Sequence, residues 1–529
     1  MAMLFTPKIH RFFFLLGLAL SLCSLPYSPF ALSVGLITLA VNWLLDGYWA
    51  EKYNRFINRK ALWAFMLVYA SIVVGFFYSD NIKYAVEELR LWLPILLIPI
   101  ILATSAPLKR KEFRLLLLLF CLSVFVATLI SFSIYLKEFS QGSQNVRAIS
   151  PYISHIRLAL MVNLSIFILG YFAFQKGYSQ NQYFKLVLSI VALWLVAFIF
   201  ILQSFTGIAI LGTVALILAI TRISSVKGAI LKFCFIVGLV LVMLLGLSYL
   251  AHTIDGYFTR NKVDFKNLPI KTVNGNQYTH DTIIRQYENG NLVWINICYP
   301  ELSREWSKVS KLPFDGDDKA GQRVGFTLIR YMTSKGLRKD SVGMARLDSL
   351  DVKLIENSVA SVIYREHKTG IYPRLYQMLW EIDSYFTRGT IGGSSLVQRY
   401  IFLKVSWHIA ENNFLFGVGT GDGPDALNDY YRTSGVNLDQ KYWYSSHNEY
   451  LTVWIASGIV GLILFLLGLL YPFIYEKKHK IFLCVVFQII ILVSMLNEDT
   501  FETHIGVSFA ALFYAILFFG YDFLQDKLE

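Results

Sequence analysis

The run Ser445-Ser446-His447-Asn448-Glu449-Tyr450-Leu451 places one histidine among hydroxyl, amide and carboxyl side chains, just before a long apolar stretch. Histidine has an ordinary pKa close to neutrality, so at such a place it can take the proton of a hydroxyl nucleophile. The blander reading is that His447 and Asn448 cap a helix. Arg157 lies in Ile153-Ser154-His155-Ile156-Arg157, Arg147 ten residues earlier, and Arg399 heads the segment that carries Trp407. An arginine fork meets phosphate oxygens in pairs, although each of these three can equally be an interfacial arginine reaching for water. His155, next to Arg157, can assist such a site or cap its helix. Glu498, Asp499 and Glu502, with His504 beside them, can orient a base, bind sugar hydroxyls, or form a solvated loop. His280, His367 and His408 read as structural.

Metal and nucleotide chemistry find little support. Asp315, Asp317 and Asp318 lack EF-hand spacing. The glycines of Gly417-Val418-Gly419-Thr420-Gly421 lack the preceding strand and following helix of a dinucleotide fingerprint, and there is no P-loop. No cofactor is expected.

The framework for these residues is a membrane. Of 529 residues, 55% are hydrophobic and 16% charged, against about 25% charged in a soluble domain, and the mean hydropathy is +0.51. A spanning helix needs roughly 17–25 apolar residues. Phe12–Leu45 is too long for one and is broken at Pro26-Tyr27-Ser28-Pro29; Ala61–Ser79, Leu91–Leu108, Leu115–Leu136 and Leu158–Gln175 follow. Leu186–Thr221 reads as two helices joined by a tight turn near Gln203-Ser204, and Phe233–Ala251 is the ninth. Tyr450–Phe473, Ile481–Met495 and Ile505–Tyr521 complete twelve. The expected fold is an all-α polytopic membrane protein with about twelve transmembrane helices. Its expected domains are 1–251 (helices 1–9), an insertion over 252–448 and 449–529 (helices 10–12).

Charge orients the array. With both termini inside, the inner segments hold 19 Lys/Arg and the short outer loops five; the other 24 of 48 lie in the insertion. Cytoplasmic loops carry such an excess, so the insertion is expected to be periplasmic and both termini cytoplasmic. The same distribution explains the net charge of +12 without nucleic acid. Lys8 and Arg11 before the first apolar run resemble a signal peptide, but no clean small-x-small site follows, and the run is kept as a helix. Cys23, Cys121, Cys234 and Cys484 sit in apolar runs and Cys298 is alone in the insertion, so no disulfide framework is expected.

Within the insertion, Asn274-Gly275 and Asn289-Gly290 signal hairpins over about 270–298. Helical patterns follow near Glu301–Val309, Gly321–Thr333, Asp351–Val359, Pro373–Tyr385 and Ser394–Asn412. The insertion is expected to be α+β.

Gly417-Val418-Gly419-Thr420-Gly421, a spacer, His447-Asn448-Glu449-Tyr450-Leu451, then Ala456-Ser457-Gly458-Ile459-Val460-Gly461-Leu462 resembles the signature of the O-antigen ligase/polymerase superfamily, most closely a ligase. The resemblance implies a GT-C-like fold with a large periplasmic loop before the motif. It implies transfer of a glycan from an undecaprenyl-diphosphate carrier to an acceptor hydroxyl in the bacterial inner membrane, without metal or nucleotide. It makes His447 the base and matches Arg399, with Trp407, to an arginine and tryptophan expected before the glycine run; Arg157, Arg147, His155, Asn448 and Glu498 are this chain's further candidates to face the diphosphate or glycan. Where relatives often read Ser-Arg-Gly, this chain has Ser204-Phe205-Thr206-Gly207 and lacks that cation. The acceptor is lipid A-core for a ligase, or a carrier-linked repeat for a polymerase. A polysaccharide or ion transporter is the third reading, but it calls for ionisable residues near the bilayer midplane, and these spans are nearly free of charge.

Overall fold

The computed structural model describes residues 6–140, 149–174, 181–223, 228–319, 321–367, 371–389, 391, 394–436 and 438–523. Each of the twelve apolar stretches is helical there, and the chain is an all-α membrane protein. Among the described residues, five helices are long and apolar enough to cross a membrane: Arg110–Lys137, His155–Phe174, Gln182–Ile201, Ala229–Phe258 and Glu449–Tyr475. Pro29–Leu45 with Trp49–Asn58 makes a sixth if that pair, bent by 111°, is one span. Lys60–Phe76, Phe205–Thr221, Phe482–Ser494 and His504–Gly520 are shorter apolar helices.

Local signals explain the breaks. Ser28 accepts from the Ala31 amide, and Pro29 opens the second helix with a preset φ. Gln203, at φ 50°, turns Gln182–Ile201 into Phe205–Ile223. Trp49–Asn58 did not register in the hydropathy pattern because it is short and amphipathic: Trp49, Tyr53 and Ile57 are exposed, while the Lys52 ammonium is held by Asp46 and the Trp43 carbonyl.

By contacts the chain divides into two compact units. The first comprises 1–131, 150–218 and 398–529. In it Glu449–Tyr475 packs against Lys60–Phe76, Pro7–Ser24 against Pro29–Leu45, His155–Phe174 against Gln182–Ile201, and His504–Tyr514 against Ile82–Thr104.

The second unit, 132–149 and 219–397, has less β-structure than the sequence suggested. Asn289 and Gly290, both at positive φ (47° and 77°), close a hairpin between Tyr287–Glu288 and Asn291–Leu292, as Asn-Gly should. The Asn274-Gly275 turn closes a lone bridge from Lys271 to Gln277. The apolar run 292–297 does not extend the sheet. Asn296 takes φ 57°, which breaks the strand, so that Ile297 pairs only singly with Thr279 and Lys339. Helices Tyr299–Val309, Val324–Ser334 and Ser349–Glu356 instead enclose Val293, Ile297, Leu302, Trp306, Leu328 and Tyr331. Two buried acids in this unit are ion-paired: Glu288 meets Arg330 at 2.7 Å, and Asp351 meets Lys335 at 2.7 Å.

Candidate functional site

Helix Glu449–Tyr475 sets the position of His447 through its N-terminus. Asn448 is the N-cap: its side-chain oxygen accepts from the Leu451 amide at 3.1 Å, and its Nδ2 donates to the Leu496 carbonyl at 3.0 Å. His447, one residue earlier, stands at φ 49°. That left-handed backbone is held by Asp499, whose Oδ2 accepts from the His447 amide at 3.0 Å. The other carboxylate oxygen accepts from Thr452 Oγ1 at 2.8 Å and Ser446 Oγ at 3.2 Å.

Glu498 brings the charges together. Its Oε1 accepts a hydrogen bond from Arg399 on helix Ser395–Asn412, and its Oε2 lies 3.8 Å from His447 Nδ1. The second distance is an ionic contact rather than a hydrogen bond, and His447 Nδ1 is buried without a hydrogen-bond partner. Phe402, one turn from Arg399, covers the imidazole at 5.5 Å between ring centroids. Arg157, in the first turn of His155–Phe174, approaches Glu502 at 4.0 Å, and its buried Nε has no hydrogen-bond partner.

Burial opposes a charge on His447, but the Glu498 carboxylate, helped by Asp499, outweighs it and raises the imidazole above its ordinary value. Burial likewise opposes ionisation of Glu498, yet His447, Arg399 and Arg157 hold it below the usual carboxylate range. Glu502 is pushed up by burial and by Asp499. The group therefore combines an imidazole raised above its ordinary value, an ionised carboxylate and two arginines.

Asp499 and Glu502 also line a cavity of about 100 Å³, together with Tyr84, Glu88, Trp92 and Glu449. Among the described residues no three His, Cys, Asp or Glu side chains are placed to hold a metal ion. Asp318 uses its carboxylate on the Gln322 amide and the Thr327 hydroxyl at 2.9 and 2.8 Å, closing a turn.

The glycine run is not a phosphate cradle. Its amides donate to protein oxygens: Gly417 to Asn413, Val418 to Ile455 at 2.8 Å, Gly419 to Ala456 at 3.1 Å, Thr420 to Gly75, and Gly421 to Ser79 Oγ. Two of those acceptors are carbonyls freed where helix Glu449–Tyr475 breaks at Gly458 (φ 67°, ψ −173°). The amides freed on the far side, Ile459 and Val460, donate to the Phe414 and Leu415 carbonyls at 2.8 and 3.4 Å. An apolar environment tolerates a broken helix only when its backbone groups are satisfied elsewhere, and the 414–419 segment does this. Gly417, at φ 74°, is required because a Cβ there would lie 2.4 Å from the Ile455 carbonyl.

Of the residues singled out from sequence, His447, Asn448, Glu498, Arg399 and Arg157 converge here. His155 begins the helix that carries Arg157. Arg147 lies outside the described residues. The turn at Ser204–Gly207 reaches the same loop, Asn497 Nδ2 donating to Thr206 Oγ1 at 2.8 Å. The clamp formed by Asp499 was visible in sequence only as one of several neighbouring acids.

Residues 359–466 match the model of the O-antigen ligase family, Wzy_C. The matched segment contains Arg399, the glycine run, His447 and the broken half of the following helix; Arg157 and Glu498–Glu502 lie outside it. No curated protein matches the chain.

Proposed function

We propose that this chain, through its O-antigen ligase domain, transfers a polysaccharide from an undecaprenyl-diphosphate carrier to a hydroxyl of lipid A-core at the periplasmic face of the bacterial inner membrane. The observation that carries the reading is the His447–Glu498–Arg399 arrangement inside and beside the matched segment. His447 removes the proton of the acceptor hydroxyl as that oxygen bonds to the anomeric carbon. The bond from this carbon to the diphosphate oxygen breaks, and the diphosphate keeps the electron pair. Arg399 and Arg157 face the growing negative charge, where preplaced cations lower the barrier most. Arg147, His155 and Glu498 belong to the same substrate-facing group, and Asn448 sets the histidine in place. Imidazole and guanidinium groups supply what the transfer needs, so the reading assigns no metal and no nucleotide. In this arrangement all twelve apolar helices span the membrane, both termini are cytoplasmic and the 252–448 insertion is periplasmic.

The test is a strain lacking the chain, complemented with the wild-type protein or His447→Ala. Long unligated polymer left on the carrier supports a ligase; single-repeat chains indicate a polymerase with the same chemistry and another acceptor. Near-normal lipopolysaccharide with His447→Ala at wild-type membrane level would leave the motif a helix cap.

A further inference from the structure

Glu498 is one carboxylate with two partners. Its side chain is 14% exposed; one oxygen binds the Arg399 guanidinium and the other faces His447 Nδ1 across 3.8 Å. That gap is too wide for a hydrogen bond, and it leaves a buried ring nitrogen unpaired, which folded proteins generally avoid. The backbones on either side cannot close it by drifting, because Asp499, next in sequence to Glu498, holds the His447 amide at 3.0 Å. What remains free to move is the Glu498 side chain, and Arg399 restrains it.

We propose that Glu498 is a positioning residue that couples donor binding to base strength: the donor's diphosphate draws Arg399 away, and the released carboxylate closes on His447 Nδ1. This rests on the reading of His447 as the base. With the proton on Nδ1 held by Glu498, the Nε2 lone pair is left for the acceptor hydroxyl. A carboxylate holding the far nitrogen of a histidine base fixes its tautomer and stabilises the imidazolium formed when the hydroxyl proton arrives. A diphosphate carries more charge than one carboxylate and suits the guanidinium fork at least as well, so it competes for Arg399. The base is then strongest when the donor is in place.

The charged groups facing His447 are Glu498, Asp499 and Glu502 on the 498–502 loop, Arg399 on the Ser395–Asn412 helix and, beyond Glu502, Arg157. Removing Glu498 leaves the Asp499 clamp on the histidine backbone intact.

The test uses the purified full-length chain in lipid nanodiscs with carrier-linked donor and acceptor, and records kcat and donor KM from pH 5 to 9. A base must be unprotonated, so activity rises as pH passes through the imidazole pKa. Because Glu498 raises that pKa, Glu498→Gln should move the acidic limb to lower pH. It should also cut the plateau kcat by up to roughly 100-fold, the lower end of what a positioned base supplies, without raising donor KM. Glu498→Asp keeps the charge, should keep the limb near its wild-type position and lose less rate; it carries the test if the glutamine variant does not fold. An unmoved limb in Glu498→Gln, or donor KM rising in step with the loss of kcat, overturns the coupling. His447→Ala run in parallel separates the two claims. If it is inactive while Glu498→Gln behaves as wild type, the base stands and the coupling falls; if it is active, the base reading itself fails.

Discussion

Asp499 fixes the backbone of His447 from 52 residues away, one oxygen accepting from the histidine amide and the other from the Thr452 and Ser446 hydroxyls. An asparagine can reproduce this pattern, since its amide oxygen can face the His447 amide and its NH2 can face hydroxyls, which accept as readily as they donate. Asp499→Asn is therefore expected to retain transfer within about tenfold of wild type. Asp499→Ala leaves a buried amide unpaired, at about 1–3 kcal/mol, and releases a left-handed residue. It should lose about 100-fold, a drop of the size typical when a positioned base is lost. Initial rates at matched membrane levels decide between these outcomes.

Arg157 and Arg399 differ from snorkelling arginines in a measurable way. If they face a diphosphate, lysine keeps the charge but not the fork, so Arg→Lys should be partly active and Arg→Ala nearly inactive at either position. Interfacial residues would show full activity with lysine and mild loss with alanine. Donor-dependent rates of the four variants distinguish the two patterns. Arg157 should be the more sensitive to charge loss, since its Nε has no hydrogen-bond partner in the protein.

Gly458 is predicted to be a position where even a methyl is not accepted. It sits at φ 67°, and a Cβ there would lie 2.1 Å from the Leu415 carbonyl oxygen. Gly458→Ala must open the contact that reseals the broken helix, at a cost of about 4 kcal/mol or more. It should lower both membrane level and melting temperature in detergent. Gly212→Ala, in an apolar helix where a Cβ meets nothing within 4 Å, should be neutral or stabilising by about 0.5–1 kcal/mol.

The proposed orientation is tested by thiol labelling. A cysteine replacing Gly290, in the hairpin of the insertion, should react with a membrane-impermeant reagent in cells whose outer membrane has been made permeable. One replacing Glu476, at the end of helix Glu449–Tyr475, should not. The reverse result would invert the charge argument of 19 against five and move the site to the other side of the membrane.

Much of the fold was legible because its signals are local. Apolar run length marked the twelve helices, Pro26 and Pro29 marked the first break, and Asn289-Gly290 marked its hairpin. Asn296 shows where local reading stops: the run 292–297 has strand composition, yet one left-handed residue ends the pairing, and packing around Trp306 and Tyr331 selects helices instead. The glycine run carries no dinucleotide fingerprint, and its spacing alone assigns it no role; the structure does, because the Val418 and Gly419 amides take carbonyls freed where the helix breaks at Gly458.

Residue order alone was enough for a helical membrane protein and for a histidine at the head of a long apolar helix, because hydropathy, turn residues and caps act over a few neighbouring positions. The tertiary structure alone decided which charges meet. Glu498 reaches Arg399 across 99 residues of chain, and Asp499 reaches His447 across 52. Such contacts leave no periodicity in the sequence: charge interactions depend on distance and burial in space, and these are set only when the helices pack.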